Sequence, residues 1–328
     1  FKFTIYPQTI ENIIPTFDTK SNLPPISSFV NSKSFLCDEG YGLIKYKTDK
    51  FGFRNSNNVY QKPIDIIIIG DSFAHGSCVD DQFSVAGILK KNFNVLNLGI
   101  GSTNPTHYAL NLKIFEEHFK PKKIIVIFYS NDYVFNSESI YEKILKKNVN
   151  YFNNETFINN RPTKYNKNIY ESLDLIENKF VMKMEEELDQ EVLNKQKKSF
   201  LKAKIQTLIY HIKLLEIKKL FIVISNKYSH ESLPKNTLEL IKLLKKKCNI
   251  KFNCTPLAIL IPSSDYWDYD YRGRVYLKLL MKNLNHNKID FIDFSNESKN
   301  RKFYAPKGIH LSKEGNLIVG EKILKKIK

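Results

Sequence analysis

Apolar residues along the chain gather into short runs separated by stretches with helical spacing. Ile66 to Ile69 is an unbroken run of four isoleucines, the pattern of a strand buried on both faces. Phe93 to Leu98, Lys123 to Tyr129, Leu257 to Ile261 and Ile289 to Phe294 also read as strands, and Leu220 to Ile224 adds a short apolar run. Between these runs the period lengthens. Phe83 to Asn92 predicts a helix with Phe83, Ala86 and Leu89 on one face. Pro105 to Phe119 predicts another, with Tyr108, Leu112 and Phe115 inward. Thr237 to Lys247 and Tyr271 to Leu284 predict two more. Ser312 can N-cap a closing helix in which Leu317, Ile318, Ile323 and Leu324 are expected to be buried. Strands alternating with helices predict an α/β fold with a parallel sheet and crossover helices.

Two regions break this rhythm. Residues 1–36 show little periodicity and are punctuated by Pro7, Pro15, Pro24 and Pro25. They read as an extended arm lying on the main domain, or as a stalk following an anchor. Ile44, Tyr46 and Thr48 then alternate with Lys45 and Lys47, a short strand with one charged face, and Asp49 to Gly52 reads as a turn. The expected organisation is an arm at 1–58 and an α/β domain at 59–328, interrupted at 136–199 by an insertion rich in Asn, Lys and Glu. That insertion, helical from Leu173 to Lys195, is a surface appendage or a lid. Leu201, Ile205, Leu208, Ile212 and Leu215 form one further helix face, expected to pack on the sheet.

Composition narrows the function classes. The chain has 328 residues, 42% of them hydrophobic, and a formal net charge of +17. The lysines are spread along the whole length, and no arginine-rich arm, zinc-finger spacing or RNA-recognition signature accompanies them, so a nucleic-acid partner is not expected. None of the four cysteines forms a C-x-x-C pair, so no metal site is expected. Cys248 and Cys254 read either as a disulfide or as free thiols. No apolar run approaches the roughly 18 residues that cross a bilayer. The first residue is Phe1, which leaves room for a signal segment or membrane anchor upstream.

The polar residues at strand ends suggest the chemistry. Gly70-Asp71-Ser72 follows the isoleucine run, Gly99-Ile100-Gly101-Ser102 the second strand, and Asn131 the third; His310 precedes the last helix. In a parallel open sheet the strand carboxyl ends share one edge, so these groups can converge. They suit acyl transfer, with Ser72 as nucleophile and His310 as base. The amides of Ser72 and of Gly101 or Ser102, with the Asn131 side chain, would form the oxyanion hole. Ser72 can also be read as a plain helix cap. Arg54 can bind a substrate carboxylate or anchor the arm. Tyr266 and Trp267 can stack on sugar rings or simply pack.

GDSFAHG, NLGIGSTNP, FYSND and GIHLSKEG resemble, in order, the four blocks of the SGNH (GDSL-type) hydrolases, over residues 47–135 and 255–328. KTDKFGFRN is similar to a segment of a bacterial subgroup that is often exported or membrane-anchored. The resemblance implies a flavodoxin-like three-layer α/β/α fold. It also implies a serine esterase or O-acyltransferase working without cofactor or metal on a small-molecule or polysaccharide ester, with O-acetylated carbohydrate the expected substrate. An exported, periplasmic or membrane-anchored location goes with it; a partner protein is not implied. The chain departs from the pattern at two points. The aspartate that the family carries two or three residues before its histidine is replaced by Gly308 and Lys307. A backbone carbonyl or another carboxylate must then orient His310, and Asp293 and Glu314 are nearer acids in sequence. Without such a group the alternative is a catalytically weak domain that binds glycan or a partner protein. The second departure is Ser102 in place of a glycine, which leaves a backbone donor intact.

Overall fold

The computed structural model describes residues 27, 31, 33–133, 232–250, 254–268 and 270–327. All belong to one unit, Phe1–Pro162 with Glu231–Lys328. The expected insertion at 136–199, the helix faces at Leu173–Lys195 and Leu201–Leu215, the strand at Leu220–Ile224 and nearly all of the first 32 residues lie outside the described residues.

Seven strands are described: β1 (Lys33–Phe35), β2 (Lys45–Lys47), β3 (Ile66–Gly70), β4 (Val95–Asn97), β5 (Lys123–Tyr129), β6 (Thr255–Ile261) and β7 (Asp290–Asp293). The last five form one parallel sheet in the order β4-β3-β5-β6-β7. Counted within the sheet this is 2-1-3-4-5, the flavodoxin-like order. β3 is an interior strand between β4 and β5 with both faces buried, which explains its unbroken apolar run. Ile66 to Ile69 are each at most 1% exposed, and burying each isoleucine contributes roughly 1.5–3 kcal/mol.

Alternate residues face opposite layers. Ile67, Ile69, Val126, Phe128, Ala258 and Leu260 pack in one cluster, Ile66, Ile68, Ile125, Ile127, Leu257 and Ile259 in another. The first is covered by α3 (Pro105–Phe119), α4 (Lys235–Ile250) and α5 (Tyr271–His286), the second by α1 (Ser72–His75), α2 (Val85–Leu89) and α6 (Lys313–Ile327). This is the expected three-layer α/β/α arrangement.

Two helices differ from their expected form. The helix predicted over Phe83–Asn92 breaks into a 3-10 turn, Asp81–Phe83, and α2. Ser84 between them has an extended backbone, and its hydroxyl accepts from the Gly87 amide at 3.0 Å. A local cap therefore overrides the longer period, and Phe83 is left off the helix face. In α6, Ser312 does cap, its hydroxyl accepting from the Gly315 amide at 2.8 Å. Leu317, however, is 44% exposed. The inward stripe is Asn316, Val319, Gly320 and Ile323. Asn316 fits there because its side chain accepts from the Val85 amide and donates to the Ser312 carbonyl.

The lysine-flanked strand is β2, paired antiparallel with β1. The turn after it is organised by buried Asp49, which accepts from the amides of Phe51 and Phe53, from Asn55 Nδ2 and from the Tyr60 hydroxyl. Phe51 and Phe53 then enter the core against Phe115. Cys248 and Cys254 form a disulfide, and a second disulfide, unforeseen, joins Cys37 to Cys78.

The sheet presents its carboxyl edge through a close approach at Gly70. The residue has φ +152°, and a Cβ there would lie 2.7 Å from both the Ala74 Cβ and the Ile127 carbonyl oxygen. We expect Gly70→Ala to destabilise the fold by about 1–3 kcal/mol, read as a lower urea midpoint with an unchanged slope.

Candidate functional site

Ser72 is the first residue of α1, directly after β3. The cap role open to it in the sequence is taken by Asp71, whose side chain accepts from the Phe73 amide at 2.9 Å. The Ser72 hydroxyl has no internal partner among the described residues and is part-exposed. Around it the backbone is tightly built. Asn97, at the end of β4, donates to the Ala74 carbonyl at 2.8 Å, and Gly99 passes so close to α1 that a Cβ would lie 2.5 Å from the His75 amide nitrogen.

Gly101 and Ser102 form the turn after β4, with Ser102 at φ +58°. Asn131 lies in the turn after β5, half-buried, its Oδ1 without a hydrogen-bond partner among the described residues. The amides of Ser72, Gly101 and Ser102 donate to nothing among the described residues. The ends of β3 and β4 thus carry donors that the fold leaves unused, whereas the unpartnered atom of Asn131 is an acceptor.

His310 belongs to the loop between β7 and α6. Its carbonyl accepts from the Ala305 amide at 2.7 Å, and Tyr304 bridges Leu311. The ring lies 5.2 Å, centroid to centroid, from Phe73, the neighbour of Ser72. No hydrogen bond joins Ser72 to His310 here. Such bonds often tighten only once substrate is bound.

The carboxylate on His310 is neither Asp293 nor Glu314. Asp293 accepts from the Ser295 amide and hydroxyl, and Glu314 is exposed. Glu39, from the arm, holds the histidine: Oε1 lies 2.9 Å from Nδ1, and Oε2 accepts from the His310 amide at 3.0 Å. Burial disfavours the charged form of Glu39, but the hydrogen bonds and charge of His310 outweigh it, and its carboxyl titrates below the usual range. Nothing in the sequence pattern singled Glu39 out. It sits in an aperiodic segment, 271 residues from its partner.

Arg54 is not placed to meet a substrate. It is 3% exposed and donates to the carbonyls of Gly76 and Val79 at 2.7 and 2.8 Å, so it anchors the loop that follows α1. Tyr266 is buried too and packs edge-on against Trp267, so it offers no stacking face. Trp267 is 45% exposed, beyond the carboxyl end of β6, with its Nε1 donating to the Ser295 carbonyl at 2.9 Å.

Cys37, Glu39, Cys78 and His310 bring possible metal-ligand atoms within 4.8 Å of one another. The two sulfurs are bonded to each other, which removes them as thiolate ligands.

Two buried acids lie below the Ser72 turn. Burial raises Asp71 to about 6, against the Phe73 amide and the charge of His310. Burial and the neighbouring Asp71 raise Asp132 well above the carboxylate range, although the Tyr108 hydroxyl bonds it at 2.9 Å. His75 is pushed down to about 3, first by burial and then by the charges of Arg54 and His310.

No protein-family model matches the chain, and no curated protein sequence does. Among solved structures it is similar to a member of the lipolytic protein G-D-S-L family from Veillonella parvula (14% identity, TM-score 0.40, covering 80% of this chain and 96% of that one). It is similar also to a carbohydrate acetylesterase from Sinorhizobium meliloti (10%, TM-score 0.41, 80% and 98%). A third is an acetylxylan esterase from Geobacillus stearothermophilus (14%, TM-score 0.39, 80% and 94%). With identities this low and TM-scores below 0.5, the functional assignment falls to the site itself.

The buried histidine makes stability pH-dependent with a definite sign. His75 titrates lower in the fold than its value of about 6.5 in an unfolded chain, so the unfolded chain takes up its proton first. That contribution is complete above pH 6.5 and is lost as pH falls toward about 3. Asp71 acts oppositely: what it contributes is present at low pH and is lost as pH rises through about 6. The melting temperature of His75→Phe should therefore fall less than that of wild type between pH 6.5 and 4. Parallel curves would show that His75 is not buried in its neutral form.

Proposed function

We propose that the protein is a serine ester hydrolase of the SGNH type, with Ser72 as nucleophile and His310 as base. The observation that carries this is the histidine. Its Nδ1 is held by a buried carboxylate, which makes Nδ1 the protonated nitrogen and leaves the lone pair on Nε2. That ring packs against the helix whose first residue is an uncommitted serine.

The steps follow from these roles. Ser72 Oγ attacks the ester carbonyl while its proton passes to His310 Nε2. The tetrahedral oxyanion is met by the amides of Ser72 and of Gly101 or Ser102, and by the Asn131 side chain. Collapse expels the alcohol, which takes the proton from His310. Water, deprotonated by the same nitrogen, releases the acid from Ser72. An acceptor alcohol in place of water makes the same site an O-acyltransferase.

Acylated carbohydrate is the substrate class we favour. Trp267 supports it, since its exposed ring stands on the sheet's carboxyl side and is locked by its own hydrogen bonds. Two disulfides and no free cysteine support an exported setting, where thiols oxidise. The competing reading, a domain that only binds glycan or protein, rested on the aspartate missing at 307–308. Glu39 weakens that reading.

Wild type should hydrolyse a chromogenic acetyl ester, and a fluorophosphonate probe should label Ser72. Ser72→Ala should lose both signals; a variant as active as wild type sinks the proposal. Asn131→Ala should lower kcat by about 10²–10³-fold if its amide meets the oxyanion, with KM little changed.

A further inference from the structure

We propose that the positioning carboxylate of this site has migrated from the histidine loop to the N-terminal arm, where Glu39 carries it, and that Gly308 and the Cys37–Cys78 disulfide are the adaptations that let it work from there. The inference rests on the Ser72–His310 reading above.

The first observation is steric. Gly308 occupies one of the two positions where the resemblance calls for aspartate. A Cβ on Gly308 would fall inside the Glu39 carboxyl group, with its Cδ and Oε2 as nearest atoms. The space that a side chain at 308 would enter is thus the space Glu39 fills. The two arrangements exclude each other, and a glycine at 308 is what the second requires.

The second observation is how the arm is held. Glu39 reaches His310 across 271 residues, so chain connectivity alone does little to keep it there. Three ties do. Cys37, two residues before it, is bonded to Cys78 in the loop after α1, with the Cα atoms 4.8 Å apart. The Glu39 carbonyl accepts from the Lys307 amide at 2.9 Å, on the histidine loop itself. Asp38, just before it, accepts through Oδ1 from the amides of Gly40 and Gly42 at 2.7 and 3.0 Å, turning the chain away after Glu39. The Cys78 sulfur is itself 3.3 Å from His310 Nδ1. The disulfide therefore joins the arm to the nucleophile loop at the histidine.

The third observation is the form of the contact. One oxygen of Glu39 takes the ring Nδ1 and the other the backbone amide of the same residue. This fixes both the ring's tautomer and its place relative to the main chain. A merely structural ion pair needs only one of these. An aspartate on the loop would act from a short local tether; here the tether is covalent but distant.

The test is relocation. Using the full chain and a chromogenic acetyl ester, kcat and KM are measured beside melting temperatures for Glu39→Gln, Glu39→Ala, Gly308→Asp and the double variant Glu39→Ala/Gly308→Asp. Glu39→Gln should lower kcat by up to about 10⁴-fold with KM little changed. Gly308→Asp alone should also be impaired, because the two side chains collide. The double variant should regain at least about tenfold in kcat over Glu39→Ala, a rescue that a structural role for Glu39 would not give. Replacing Cys37 and Cys78 by serine should lower kcat strongly with Glu39 present, and much less in the double variant. If Glu39→Gln keeps kcat within about threefold of wild type while Ser72→Ala is dead, Glu39 has no positioning role and the esterase reading stands. If the double variant melts like wild type yet is no better than Glu39→Ala, the migration is overturned. If Ser72→Ala is as active as wild type, the underlying reading has failed instead.

Discussion

The contact between Glu39 and His310 joins the least regular part of the chain to its last loop. Everything that gives the site direction passes through it. A buried carboxylate facing an imidazole is stable only if both groups are satisfied, because an unpaired buried charge is strongly penalised. Here one oxygen has the ring and the other a backbone amide. The arm therefore cannot move without stripping the Glu39 carboxylate of both partners and leaving the His310 amide unpaired, and the histidine cannot rotate without losing its partner.

The sheet supplies the other half of that rigidity. Its central strands are apolar on both faces, so their ends are fixed to within the play of the core packing. Polar brackets then secure the loops. Arg54 takes the carbonyls after α1, Asn97 takes the carbonyl of Ala74, and Asp270 ties Ser130 after β5 to Ser263 after β6. The KTDKFGFRN segment belongs to this system: Asp49 folds the turn, Arg54 holds the loop after α1, and Asn55 pairs with the backbone of Asn97. These three residues are framework.

Much of this was legible in the sequence, and the exceptions share a cause. Buried strands such as Lys123–Tyr129 and the helix Pro105–Phe119 carry their period in local order, and their bounds match the structure. Where a local cap competes, as at Ser84, periodicity misplaces the helix. Where polar or small residues take an inward place, as Asn316 and Gly320 do, it misplaces the buried face. Arg54 and Tyr266 have side chains that suit ligands equally well, and only their burial separates framework from site. Glu39 left no trace because a residue acting across 271 positions has no neighbours that spell out its role. The single available sign was indirect: a glycine standing where an acid was expected.

The distance between Glu39 and His310 also sets an order in time. During synthesis Glu39 leaves the ribosome long before His310, and the contact they form is among the most non-local the chain can make. Such contacts carry the closure entropy of the long intervening chain, and folds dominated by them form slowly. Glu39 and the C-terminal loop also hold each other, since the Lys307 amide donates to the Glu39 carbonyl. The proposed serine–histidine pair is therefore complete only when both ends of the described unit are in place.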